Sequence, residues 1–73
     1  MRYMAVLGFN TKQWWVYDNK KDLYIDPPIE VLDELEKLDD TDEQERLLEK
    51  LANQEPDWLF DKGYRYKAKK FDI

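Results

Sequence analysis

The sequence predicts an α+β fold: an antiparallel sheet of about four strands, with two amphipathic helices packed on one face, in the order βββααβ. Three observations lead there. Up to residue 25 the apolar residues fall in short runs or alternate, as strands require. Between residues 29 and 52 they recur at helical spacing. Charge is partitioned along the same boundaries. Residues 1–25 carry four basic and two acidic side chains, residues 26–61 three basic and fourteen acidic, and residues 62–73 five basic against Asp72 alone. The net charge of −5 therefore divides into blocks of +2, −11 and +4, and a helix layer and a sheet layer of opposite sign follow. Such surfaces select partners and set encounter rates rather than perform chemistry.

Met1 to Phe9 is apolar on both alternating sets, Tyr3, Ala5, Leu7 and Phe9 on one and Met4, Val6 and Gly8 on the other. A strand apolar on both faces is expected in the middle of its sheet. Asn10 to Gln13 suits a hairpin loop, and Trp14 to Tyr17 is aromatic and β-branched, a second strand. Asp18 to Asp22 is turn chemistry. Leu23 to Ile25 follows as a short third strand, expected at an edge.

Asp26-Pro27-Pro28 changes the state of the chain, with Asp26 expected as the N-cap of a first helix. That helix places Val31, Leu32, Leu35 and Leu38 on one stripe and Glu30, Asp33, Glu34 and Glu36 in water. Thr41 and Gln44 match the capping-box spacing of a second helix, which turns Leu47, Leu48, Leu51 and Ala52 inward and ends at Pro56. Trp58, Leu59 and Phe60 form a helical turn that plugs the core. Gly63 permits a sharp turn, and Tyr64 to Phe71 is a last strand with its tyrosines to the core and its cations outward. The helical hairpin would return this strand beside the first, giving the sheet order 3-2-1-4.

Residues 1–73 are expected to form one small globular domain. A chain of this size buries only roughly 60% of its unfolded surface, so its margin of stability is thin. Without cysteine no disulfide supplements the core; three Trp, five Tyr and three Phe supply the bulk instead. No apolar stretch reaches the ~20 residues of a membrane span. The short apolar run at Met1–Phe9 lacks the length and cleavage chemistry of a signal peptide. The expectation is a cytoplasmic protein with no membrane partner.

There is no His, Cys or Ser, which removes Ser-His-Asp and Cys-His nucleophile arrangements, imidazole acid–base chemistry and the usual Cys/His zinc sites. Gly8 and Gly63 are the only glycines, so no glycine-rich phosphate loop exists. Paired carboxylates could serve glycosidase-like chemistry, but a chain this short offers little material for a walled cleft. Asp39-Asp40-Thr41-Asp42-Glu43 has carboxylates at close spacing, yet lacks the glycine and terminal glutamate of a calcium loop. It reads as a helix junction with acids at the helix's positive end. No catalytic residue, cofactor or metal is expected.

Neighbouring strand residues point to opposite faces, so one of Trp14 and Trp15 should lie under the helices and the other on the open face. The expected partner-binding residues are Trp14, Trp15 and Tyr17 as aromatic anchors, with Arg65, Lys67 and Lys69 as cations on the same face. The competing expectation is that loops, the Trp58–Phe60 segment or Phe71-Asp72-Ile73 fold over that face. The function expected is a non-enzymatic protein-binding module or accessory subunit, with another protein or a second copy as partner. It would dock through the open face or through the acidic helices, which could also act as a polyanion mimic. Single-stranded nucleic acid is the alternative partner, through the interleaved rings and cations of Tyr64–Phe71. The net negative charge opposes it.

Overall fold

Aromatic and β-branched residues set the strands, leucines at helical spacing set the helices, and the elements follow the expected order. The computed structural model describes residues 1–73. Three strands, β1 (Tyr3–Leu7), β2 (Trp14–Asp18) and β3 (Leu23–Ile25), precede helices α1 (Ile29–Glu36) and α2 (Thr41–Asn53), and a short β4 (Arg65–Lys67) closes the sheet. Single 3₁₀ turns occupy Asp57–Phe60, Lys62–Tyr64 and Ala68–Lys70. The result is an α+β fold with a four-stranded antiparallel sheet.

The spatial order is β1-β2-β3-β4, not 3-2-1-4: the last strand pairs with β3. Two backbone bonds extend that ladder past its ends, Asp26 N–H to Tyr64 O at 2.8 Å and Ala68 N–H to Asp22 O at 3.1 Å. The free edge of β1 is meanwhile occupied. Glu49 Oε1 accepts from Ala5 N–H at 3.2 Å, and Asn53 Nδ2 donates to Tyr3 O at 3.1 Å. β1 is thus an edge strand whose exposed backbone is capped by side chains of α2, one way of blunting a sheet edge. Its apolar residues on both faces do not mark a central position, and Met4 and Leu7 remain exposed.

The core lies between the sheet and the helices. Tyr3, Ala5, Trp14, Val16 and Ile25 rise from the sheet, Leu35, Leu48 and Ala52 descend from the helices, and Leu59 enters from the 3₁₀ turn after α2. Val31, Leu32, Leu47 and Trp58 pack around this cluster.

Helix ends differ from expectation. Pro28, not Asp26, is the N-cap of α1. Asp26 instead accepts from Gln13 Nε2 at 2.7 Å. Asp40, not Thr41, caps α2, its carboxylate accepting from Asp42 N–H at 2.9 Å. Gln44 is released from capping and ties three elements together. Its Nε2 donates to Leu35 O at 3.0 Å and Leu38 O at 2.8 Å, and its Oε1 accepts from Trp14 Nε1 at 3.1 Å. Glu55 follows α2 with φ of 55°, its N–H on Ala52 O at 3.0 Å, the left-handed geometry of a helix C′ position.

Asp18 ends β2 as the one fully buried acid. It is met by Arg2 Nε at 2.9 Å and Arg2 Nη2 at 3.0 Å, and by the N–H groups of Lys20 at 3.0 Å and Lys21 at 3.3 Å. Burial alone would raise its pKa; the Arg2 bond, the two backbone donors and the Arg2 charge outweigh that and hold it below the ordinary carboxylate value.

Candidate interaction surface

Strand alternation and register decide which side chains reach the uncovered face. Ala5, Val16, Ile25 and Arg65 are partners across the sheet, and the first three belong to the core; Arg65 therefore points to the helix side. Lys67 pairs with Leu23, and Leu23 with Asp18, on that same side. The charge of Arg65 acts on the Tyr3 phenol there, whose pKa is nonetheless raised, chiefly by burial. The intervening residues form the opposite row: Met4, Tyr17, Tyr24 and Tyr66 are aligned partners, one from each strand. Expectation had β4 turned the other way. Its tyrosine faces open and its cations lie behind the sheet.

The open row is a run of rings. Tyr17 and Tyr24 stand 5.3 Å apart between centroids, and Tyr66 stacks on Phe71 at 4.5 Å with an 18° tilt. The Tyr17 hydroxyl donates to the Asp22 carboxylate, which raises the Tyr17 pKa. Tyr17, Tyr24 and Tyr66 are half-buried, and Met4 at the end of the row is exposed. Cross-strand aromatic pairs of this kind stiffen a sheet while leaving ring surface available.

Neither tryptophan is an exposed anchor. Trp14 is 9% exposed beneath the helices. Trp15 belongs to the open face but is only 4% exposed, because the segment 68–73 folds over it. The expected last strand stops at Lys67; the 3₁₀ turn at Ala68–Lys70 swings Phe71 onto Trp15, edge to face at 5.1 Å, while Tyr66 meets the same indole at 5.8 Å. The main-chain oxygen of Ile73 then accepts from Asn10 N–H at 2.8 Å, Thr11 N–H at 2.9 Å and Thr11 Oγ1 at 3.3 Å. Thr11 Oγ1 in turn accepts from the Trp15 indole N–H at 2.9 Å. Gly8 makes this closure possible, since a Cβ there would crowd Thr11 Oγ1 and lie 2.6 Å from the Ile73 oxygen. The cover expected from Phe71-Asp72-Ile73 therefore exists: it hides Trp15 and stacks Phe71 on Tyr66 at one end of the tyrosine row, leaving the Tyr17 and Tyr24 end open.

Of the six residues expected to bind a partner, only Tyr17 contributes a ring to the accessible open face. Arg65 and Lys67 lie on the helix side. Lys69 is exposed in the last 3₁₀ turn, where with Lys21, Lys67 and Lys70 it rims a shallow depression of about 300 Å³. Tyr24 and Tyr66 were missed as open-face residues. The signal for Tyr24 is its place between Leu23 and Ile25, since a half-buried strand with Ile25 inward turns Tyr24 outward.

The acidic helical face is solvated: Glu30, Asp33, Glu34, Glu36, Asp39, Asp40, Asp42, Glu43 and Glu45 are all exposed. A single ion pair, Lys37 to Glu34 at 2.9 Å, offsets it. No group of three or more acidic side chains converges as metal ligands would, and no helix is long and apolar enough to cross a membrane. No family model, no curated protein and no solved structure matches the chain, so the surfaces themselves carry the functional argument.

Proposed function

We propose that this protein is a small non-enzymatic interaction module that binds another polypeptide through the open face of its sheet. One observation carries the reading: Met4, Tyr17, Tyr24 and Tyr66 align across all four strands on the face that the helices leave free. Tyrosine combines large contact area with few rotatable bonds and a polar tip, which is why it dominates binding hot spots. The absence of imidazole, thiol and serine hydroxyl supports a binding role over catalysis. Nucleic acid is the weaker reading, because a stacking platform needs rings and cations on one surface, whereas here Arg65 and Lys67 lie behind the sheet from Tyr24 and Tyr66.

The test is affinity capture with three baits: the wild type, Tyr24→Ala with Tyr66→Ala, and Glu34→Lys with Glu36→Lys. Partners retained by the wild type and the charge-reversed bait but lost from the tyrosine variant support the open face. Loss on charge reversal with retention by the tyrosine variant moves the binding surface to the helices. Sedimentation of the wild type over a range of concentrations shows whether the captured partner is a second copy of the chain.

A further inference from the structure

Away from the tyrosine row, at the end of the sheet where α1 begins, lies a cavity of about 500 Å³. Gln13, Asp26, Glu30, Trp58, Asp61 and Tyr64 line it, together with prolines and aliphatic side chains around the start of α1. Its volume falls within the range of about 300–1,000 Å³ typical of ligand sites. Every charged side chain in its wall is acidic; no Lys or Arg is among them.

The wall is held in place from several directions. The Asp26 carboxylate takes Gln13 Nε2 at 2.7 Å, and the Asp26 N–H is bound to Tyr64 O at 2.8 Å. Asp61 Oδ1 accepts from Gly63 N–H at 3.1 Å. No cation neutralises Asp26, and burial raises its pKa, with the Gln13 bond opposing. The positive end of α1 also faces the cavity, but a helix end carries only roughly half a charge. Three carboxylates outweigh it. Two ring systems complete the wall: Trp58 is half-buried and Tyr64 is 49% exposed. The indole N–H groups of Trp14 and Trp15 are bound to Gln44 and Thr11, whereas that of Trp58 donates to no protein group.

Carboxylates spread along an apolar, aromatic wall do not grip a point ion, and these do not converge as metal ligands do. They suit a cation that is long, partly apolar and able to donate several hydrogen bonds. We infer that this cavity binds an organic cation on an alkyl stem, a guanidinium or alkylammonium group. Asp26, Asp61 and Glu30 accept its N–H groups, and the Trp58 and Tyr64 rings receive the stem and the charged face. The ligand is either a free amine or guanidine, or the arginine or lysine side chain of a bound protein. The site is independent of the tyrosine row, so each stands or falls alone.

The test is a titration of the ¹⁵N-labelled protein with butylguanidinium chloride, and in parallel with neutral butylurea, reading the Trp58 indole N–H and the backbone amides of Asp61 and Tyr64. The expected result is a saturable shift at those three positions with the cation and none with the urea. Asp26→Asn, which keeps an acceptor for Gln13, weakens the cation by about tenfold or more. Asp61→Asn serves as the second variant, and an undisturbed spectrum elsewhere shows that each variant is folded. Equal shifts with butylurea overturn the proposal. So do unsaturable shifts spread over Glu34, Asp39 and Glu43 on the helices. The peptide acetyl-Ala-Arg-Ala-amide and its citrulline counterpart then separate the sources. Arginine peptide tighter than butylguanidinium assigns the site to a protein side chain; peptide weaker than the free cation assigns it to a small molecule.

Discussion

Trp14 and Trp15 are adjacent in sequence and almost equally buried, yet different parts of the chain cover them. Trp14 sits under two helices, inside a cluster that includes Leu35, Leu48 and Ala52, and its indole N–H is fixed by Gln44. Trp15 sits on the other face under Phe71, held by a segment whose hydrogen bonds to the first hairpin all run through the Ile73 oxygen. Equal burial does not mean equal commitment. The first tryptophan is covered by elements that cannot leave without unfolding the domain. The second is covered by a few residues whose release costs a handful of hydrogen bonds and the two ring contacts of Phe71, the low-stability end of a structure from which mobile segments are drawn.

Substitution at the two indoles puts that contrast to the sharpest test. Trp14→Ala is expected to cost about 3–5 kcal/mol, a large part of the stability of a domain this size. Trp15→Ala should cost roughly half as much, because the segment above it can settle into the gap. Urea unfolding of the two variants checks this, and equal losses would make the segment a full part of the cooperative core.

Gly8→Ala acts on the closure alone. The added methyl meets the Thr11 hydroxyl and the Ile73 oxygen, so the segment must lift. A loss of about 1–3 kcal/mol is expected. Hydrogen exchange should show faster loss at the Asn10 and Thr11 amides while Leu48 and Ala52 keep their protection. Loss of protection across both faces together would erase the distinction.

Two carboxylates, one at each end of the sheet, should respond to pH with opposite sign. Asp18 is held below its ordinary pKa, so its stabilising effect is complete above the unfolded value and fades as pH falls through the folded one. Asp18→Asn is expected to cost about 2 kcal/mol at neutral pH, and the gap to wild type should close in acid. Asp26 is held above its ordinary value, so ionising it opposes folding, fully above the folded pKa and not at all below the unfolded one. Asp26→Asn should therefore raise the unfolding midpoint slightly at neutral pH and lose that advantage in acid. Melting curves across pH for both variants decide it.

The smallest expected effect lies outside the comparison and calibrates it. Glu55 holds a left-handed conformation after α2. Glu55→Gly relieves it and should stabilise the fold by about 0.5–1 kcal/mol without altering exchange on either face.

The kinds of element were legible because each depends on local pattern: the leucine stripes of α1 and α2 and the aromatic run of β2 stand in the sequence as they stand in the fold. What depends on distant pairing was not. β4 is three residues long, and its choice of β3 over β1 rests on backbone bonds from Asp26 and Ala68 and on the prior claim of Glu49 and Asn53 to the β1 edge. None of these follows from periodicity. The inversion of Arg65, Lys67 and Tyr66 follows directly, since side-chain direction is set by register and a one-residue difference exchanges the faces. Trp14 and Trp15 were legible as a pair on opposite faces. The burial of Trp15 was legible only as one of two alternatives, because Phe71 read both as the end of a strand and as part of a cover, and it reaches that indole only by leaving the strand. The cavity beside Asp26 was hidden for a similar reason: its walls come from three separate stretches, Gln13, Asp26–Leu32 and Trp58–Tyr64, that only the completed sheet brings together.

The place of β4 also bears on how the chain acquires its shape. β1, β2 and β3 form a meander that can close through short loops as soon as Ile25 is available. The partner of Ile25, Arg65, lies 40 positions later. During folding, the Leu23–Ile25 edge therefore stands bare until the helices have formed and β4 arrives, and a bare apolar edge is where chains associate wrongly. Lys20 and Lys21 precede that edge, and Asp26, Pro27 and Pro28 follow it. Like charges and prolines are the residues that discourage a second chain from pairing there. The flanks of β3 thus act as gatekeepers for a strand whose second edge waits for its partner.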